Sequence, residues 1–289
     1  MPWSPLNIRR WRPWLCLLLI GLAPWSGGWA LEPAAMPAAD PPLIAIIIDD
    51  VGDNLHNGLR VIDLPGPVAA AFLPHTRYAR RLARLAHRRD KEVMLYLPME
   101  AADGAATGPG SVTLAMTEQE FINIVEADLA DIPHVTGINN HMGSLLTQQP
   151  GPMRWLMQAI NRRGQLLFFV DSRTTAATVA QKVAAENGVP NLRRDVFLDN
   201  DPAPEAIAVQ FKRLLGIARR RGSAVAIGHP HGTTLNFLEQ HLPQLAGLGI
   251  RLVAVRTLLQ QPARPGGYVH ASTAEPASTA ATPKTRILP

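Results

Sequence analysis

The sequence predicts an α/β protein: a distorted (β/α) barrel of seven to eight mainly parallel strands, with an open doubly wound sheet as the alternative. Three observations point there. Short apolar runs recur from residue 43 to 255, most without polar alternation, as strands covered on both faces require. Helical stripes separate several of the runs, and strand–helix alternation gives a parallel sheet. Asp and His residues collect where the runs end, which is where such sheets carry their sites.

The chain has 289 residues, 47% of them hydrophobic, enough for a large core. It opens with Arg9, Arg10 and Arg12, then an apolar run from Trp14 to Ala23, then small residues ending at Gly28, Trp29 and Ala30. That order marks residues 1–30 as a secretory signal peptide. The run is shorter than the about 20 apolar residues of a membrane span. No integral span is expected beyond this segment, which would anchor the chain if it stayed uncleaved. The expected location is periplasmic or secreted. The Arg9–Arg10 pair also allows twin-arginine export, but its flanking residues fit the general route better.

Without residues 1–30 the formal charge drops from +5 to +2. No Lys/Arg stripe with interleaved aromatics appears, so nucleic acid is not an expected partner. The single cysteine, Cys16, lies in the leading segment. Disulfides, cysteine catalysis and thiolate metal sites are therefore excluded from the rest. A metal would need His, Asp or Glu ligands, which in an exported protein suggests zinc or a similar ion.

Residues 31–42 are rich in Ala and Pro and read as a linker. Residues 262–289 are Pro, Ala, Ser and Thr with little apolar content, and read as a disordered tail. The folded domain is expected over 43–261. Its strand candidates are Leu43–Ile48, Val68–Leu73, Glu92–Leu97, Thr136–Asn139, Leu166–Val170, Val196–Leu198, Ala224–Ile227 and Arg251–Val255. Between them, Tyr78, Leu82 and Leu85 form one helical stripe, and the arginines around it read as a solvated face. Thr117 and Glu120 form a capping box ahead of Phe121, Ile124 and Val125. Met153, Leu156, Met157 and Ile160 make the next stripe. Ile207, Phe211, Leu214, Leu215 and Ala218 make the last, and Gly222 stops it.

The strand ends carry the chemistry. The first ends in Asp49 and Asp50. Adjacent carboxylates after an apolar strand are costly unless a cation, proton or donor compensates. Both can serve one site if the strand end twists; otherwise they are a helix cap and a loop acid. A phosphate-transfer receiver would need a cytoplasmic protein, and no Gly-rich dinucleotide fingerprint follows the strand. The fourth strand runs into Asn139, Asn140, His141 and Ser144, where asparagines can orient an imidazole or bind substrate hydroxyls. Asp171 ends the fifth, Asp199 the sixth, and His229 and His231 follow the seventh within "GHPHG". Those two histidines lie two apart, so on an extended chain both face one side. His75 and Glu100 are weaker candidates for the same mouth. His56, His87, His134, His241 and His270 read as surface or structural residues.

The motifs "IAIIIDDVG", "YLPME", "GINNHMGS", "FFVDSR", "VFLDND" and "AIGHPH", in this order, resemble the divergent polysaccharide deacetylase family over roughly residues 43–260. The resemblance implies a distorted (β/α) barrel and removal of N- or O-acetyl groups from sugars with a divalent metal, usually zinc. It implies Asp49 as base and Asp50 as metal ligand. In the better-known branch of the superfamily two histidines follow the third strand, but here that strand ends "YLPME". The nitrogen ligands are then expected from His141 and His229, with His231 as general acid or the two exchanged. Asp171 is expected to orient or tune one of these groups, and Asn139, Asn140 and Ser144 to bind substrate. The expected partner is a glycan. The competing class is a catalytically inactive exported protein that binds glycan or an envelope partner. A metal phosphoesterase would need cations at the mouth, and only Arg173 and Arg194 qualify.

Overall fold

The computed structural model of the protein describes residues 40–163 and 167–261. The expected signal segment, nearly all of the linker and the tail lie outside the described residues.

Among the described residues nine strands form one sheet. They are β1 (Leu43–Val51), β2 (Ala69–Phe72), β3 (Val93–Met99), β4 (Gly137–Met142), β5 (Phe168–Asp171), β6 (Asn191–Arg193), β7 (Val196–Phe197), β8 (Ser223–Gly228) and β9 (Arg251–Leu252). The order is β6-β5-β4-β3-β2-β1-β8-β7, with β9 also on β1, and every pairing is parallel. The helices are α1 (Leu55–Asp63), α2 (Ala79–Arg88), α3 (Glu118–Asp131), α4 (Pro150–Arg162), α5 (Ala180–Glu186), α6 (Pro204–Arg221), α7 (Gly232–His241) and α8 (Val255–Leu259). This is the expected distorted barrel.

The barrel is not closed by a ladder. Among the described residues β6 pairs only with β5, and β7 only with β8. Two residues, Arg194 and Asp195, carry the chain between them. The Arg194 N–H donates to Asp171 O at 2.9 Å, and the Asp195 N–H to Val225 O at 2.9 Å. One kinked strand thus steps from one arm of the sheet to the other.

The strand period of two sorts the core into layers. Ile44, Ile46 and Ile48 of β1 face the helices, packing in one cluster with Val61, Leu82, Phe121, Leu156 and Leu214. Ala45 and Ile47 face inward with Ala69, Ala71, Met94, Phe168, Val170, Val225 and Ile227. Val255 and Leu258 of α8 join that inner layer. The buried Glu92 carboxylate accepts from the first N–H groups of α8, Val255 at 2.6 Å and Arg256 at 3.2 Å. These are donors that a helix start leaves unpaired.

The capping box forms at α3. Gly222 ends α6 at φ 86°, a left-handed angle that glycine adopts without a Cβ clash. The sequence reading missed α1, α5, α7, α8 and β6. Each is short; β6 has three residues, too few to show a period.

Candidate active site

Parity decides which strand-end groups share a space. Asp49 falls on the inward set of β1, and Asp50 would fall outward. The pairing of β1 with β2 slips between Ile48 and Val51, and Asp50 takes φ 52°. That twist brings both carboxylates to one cleft. Met142 at the end of β4 and Arg173 after β5 also take positive φ, at 51° each. Non-glycine residues in this region carry strain, and such strain gathers at sites.

The cleft measures about 210 Å³ and is lined by Asp49, Asp50, Tyr96, His141, Met142, Ser172, Thr174, Arg194, Phe197, Ile227 and His229. A larger cavity of about 320 Å³, beside Leu129, Pro133, His134 and Arg163, has no carboxylate in its lining and offers no comparable chemistry.

Asp49 is 1% exposed. Its Oδ1 accepts from Asn139 Nδ2 at 2.9 Å, and its Oδ2 is buried without a hydrogen bond among the described residues. Burial raises its pKa from 3.8 to about 7, against the pull of His229 and Asn139. A carboxyl poised near neutrality can take and return a proton. The Tyr96 hydroxyl is held protonated well above its usual range by burial and by the Asp49 and Asp50 carboxylates.

Asp50 lies between two imidazoles. His141 Nδ1 is 3.7 Å from Asp50 Oδ1, and His229 Nε2 is 3.9 Å from Asp50 Oδ2. Asp50 Oδ1 and His141 Nδ1 are both buried and neither has a hydrogen-bond partner among the described residues. Unpaired buried polar atoms are rare in folded proteins and call for an explanation. The distances are too long for hydrogen bonds and suit groups that share a cation. Burial lowers the His141 pKa despite Asp50, which favours the neutral ring that metals bind. A carboxylate and two imidazoles fit zinc or a similar ion.

Asp199 orients His229. Its Oδ1 bonds His229 Nδ1 at 2.9 Å, and its Oδ2 accepts from the His229 N–H and Thr234 Oγ1, both at 2.7 Å. Burial alone would raise the Asp199 pKa and lower that of His229. The bonds between them win, so Asp199 lies below its usual value and His229 above. With Nδ1 engaged, His229 turns Nε2 toward Asp50, as a carboxylate behind a metal-binding histidine does. One ligand atom each from Asp199, His229 and His231 also lie within 4.8 Å of one another. Both Asp199 oxygens already accept hydrogen bonds; Asp50, His141 and His229 form a second, more widely spaced candidate set. His231 is exposed at the rim, its ring 5.8 Å from that of His229.

Several expectations are corrected. Asp171 shares the parity of Phe169, on the helix-facing side. Its oxygens accept from the Arg173 N–H at 2.8 Å and Thr178 Oγ1 at 2.9 Å, and it bonds to no histidine. Asp199 does the orienting expected of it. Asn139 and Asn140 are fully buried and act within the wall. Asn139 holds Asp49, while Asn140 bonds Met142 O at 2.7 Å and accepts from the Ser172 N–H at 2.8 Å. Ser144 Oγ accepts from the Ala102 N–H at 2.9 Å and is not among the cleft-lining residues. His75 bonds Asp128 at 2.7 Å, away from the cleft lining, and Glu100 accepts from the Leu114 N–H at 2.6 Å. Tyr96 and Phe197 line the cleft without having been singled out. For Tyr96 the shared parity with Met94 on β3 was the available signal; for Phe197 only the register with Ile227 shows it.

The family model described as divergent polysaccharide deacetylase matches residues 46–259. The chain belongs to this family. It resembles the uncharacterized protein YibQ of Escherichia coli (strain K12), 37% identical over 233 residues, 79% of this chain and 72% of that one. A Haemophilus influenzae protein is 35% identical over 212 residues, 71% of this chain and 75% of that one. Among solved structures, uncharacterized protein ATU2773 from Agrobacterium tumefaciens C58 aligns with a TM-score of 0.72 at 24% identity, covering 77% of this chain and 91% of that one. At that identity the likeness speaks for the fold alone. In this member of the divergent polysaccharide deacetylase family, β3 ends in Pro98 and Met99 and is followed by Glu100, with no histidine.

Proposed function

We propose that the protein is a metal-dependent deacetylase acting on acetylated polysaccharide or peptidoglycan in the cell envelope. The observation that carries this reading is the pair of buried, unbonded atoms Asp50 Oδ1 and His141 Nδ1, facing each other at 3.7 Å beside Asp49. Family membership supports the acyl-transfer class, and the order of residues 1–30 supports export.

Asp50, His141 and His229 would hold the cation, with zinc the best match to a carboxylate and two imidazoles. A divalent cation in such a site polarises an acyl carbonyl and lowers the pKa of water. Asp49 takes the proton from the attacking water at its free Oδ2. Asp199 keeps His229 in one tautomer and orientation. Asn139 holds the Asp49 carboxylate in register with the cleft. His231, at the rim, returns a proton to the leaving amine or alkoxide as the C–N or C–O bond breaks, and acetate leaves.

The test is acetate release from a panel of N- and O-acetylated glycans, including peptidoglycan, with metal content measured alongside. Wild type is expected to hold about one zinc per chain and to release acetate. His141→Ala is expected to lose both; His231→Ala is expected to keep the metal and lose turnover. No acetate from any glycan ends the deacetylase claim. Metal lost in His231→Ala moves the ligand set to Asp199, His229 and His231. Cell fractionation tests the envelope location.

One observation favours a second reading, a non-catalytic glycan-binding or envelope partner protein. The end of β3 lacks the histidines that the resemblance associates with it, and its Glu100 carboxylate is engaged by Leu114. Zinc bound without acetate release would select that reading.

A further inference from the structure

Arg194 is a cationic side chain of the cleft that neither the proposed cation site nor the proton transfers use. It stands on the two-residue step between β6 and β7. Its Nε donates to Ser172 O at 2.5 Å and its Nη2 to Arg173 O at 2.8 Å. Its guanidinium carbon lies 4.7 Å from the centre of the Phe197 ring. Two carbonyls and a ring thus fix the plane of the group.

A guanidinium carries five N–H donors. The two carbonyls occupy the edge formed by Nε and Nη2. The remaining donors meet no acceptor among the described residues, and two of them form the Nη1–Nη2 edge. Asp49 attracts the group electrostatically, yet its Oδ1 is engaged by Asn139 and no hydrogen bond joins it to Arg194. Arg194 is only partly buried and lines the cleft, so a group entering the cleft can meet that edge. That edge is a rigid fork matching the two oxygens of a carboxylate. A neutral hydroxyl would engage only one of the prongs.

We infer that Arg194 recognises a carboxylate on the glycan, so the substrate class is an acidic acetylated polysaccharide. The acetyl group rests on the deacetylase reading; the carboxylate subsite stands without turnover.

Three probes test it by calorimetry: a tetrasaccharide of N-acetylated sugars with a lactyl carboxylate on alternate residues, its methyl ester, and the neutral tetrasaccharide lacking lactyl groups. Wild type is expected to bind the acid at least tenfold tighter than the ester or the neutral probe, the scale of a charge-assisted fork. Arg194→Gln is expected to bind all three alike, at the level of the ester. A purely structural role would weaken all three together. Equal binding of acid and ester by wild type overturns the inference, as does an acid preference that survives in Arg194→Gln, or no binding of any probe. If Arg194→Gln fails to fold, the comparison of acid with ester in wild type decides alone. Acetate is assayed on the same samples. Acid-selective binding without acetate would sink the deacetylase reading and leave the subsite standing; acetate release without acid preference would do the reverse.

Discussion

Asp199 grips His229 twice, through the backbone N–H at 2.7 Å and through Nδ1 at 2.9 Å. One carboxylate therefore sets both where the strand end lies and which way its imidazole faces. Asp199→Asn replaces one acceptor oxygen with a donor and disturbs the Nδ1 tautomer. A loss of 10- to 100-fold in metal affinity or activity is expected, as for other partners behind metal-binding histidines. Zinc titration and kcat/KM with an acetylated glycan measure it. Unchanged values in a folded variant would remove Asp199 from the site.

Cation binding should be visible in stability. A ligand that binds only the folded state at 100 times its Kd adds about 2.7 kcal/mol. Chelator is expected to lower the thermal midpoint of wild type. Asp50→Ala is expected to melt at one midpoint with or without chelator. A chelator response equal to wild type in that variant would place the cation elsewhere.

A slope of stability against pH is expected from the buried Asp128 carboxyl, which meets the exposed His75 ring. Burial raises the Asp128 pKa from 3.8 to about 7, although its contact with His75 opposes the shift. The folded state then binds this proton more tightly than the unfolded chain. Its contribution to stability is greatest below about pH 4, declines as pH rises toward 7, and is flat above. Asp128→Asn keeps an acceptor for His75 and removes the titration. Urea unfolding at several pH values should show the wild-type stability falling relative to the variant between pH 4 and 7. Parallel curves would refute the assignment.

Gly137 sits where β4 meets β5. A Cβ there would lie 2.2 Å from the Phe168 ring, and Gly137 pairs with Phe168 in register. Gly137→Ala must push aside a fully packed aromatic. A loss of about 1–3 kcal/mol is expected from such overpacking, read as a lower urea midpoint at constant m value.

The barrel could be read from the sequence because its strands are near-continuous apolar runs separated by helical stripes. Asp49, Asp50, His141 and His229 could be read because they follow those runs directly. The choice between Asp171 and Asp199 could not. Both follow apolar residues, and a strand such as Phe168–Val170, apolar on both faces, conceals its phase. Register on the neighbouring strands turns Asp171 toward the helices. β7 has only two residues, so nothing in its own pattern shows that Phe197 faces the cleft and that Asp199 meets His229. Arg194 was visible only as a cation near the mouth; its donor geometry depends on Ser172 and Arg173 carbonyls that no sequence pattern displays.

The step at Arg194 and Asp195 gives the barrel an unusual seam. Elsewhere adjacent staves are laced by rungs; among the described residues β6 and β7 share no strand pairing, and the main chain carries the step. The two residues of the step each hold a different arm, Arg194 through Asp171 O and Asp195 through Val225 O. The seam is therefore a stretch of wall pinned to both arms, and the arginine proposed to meet the glycan stands on it.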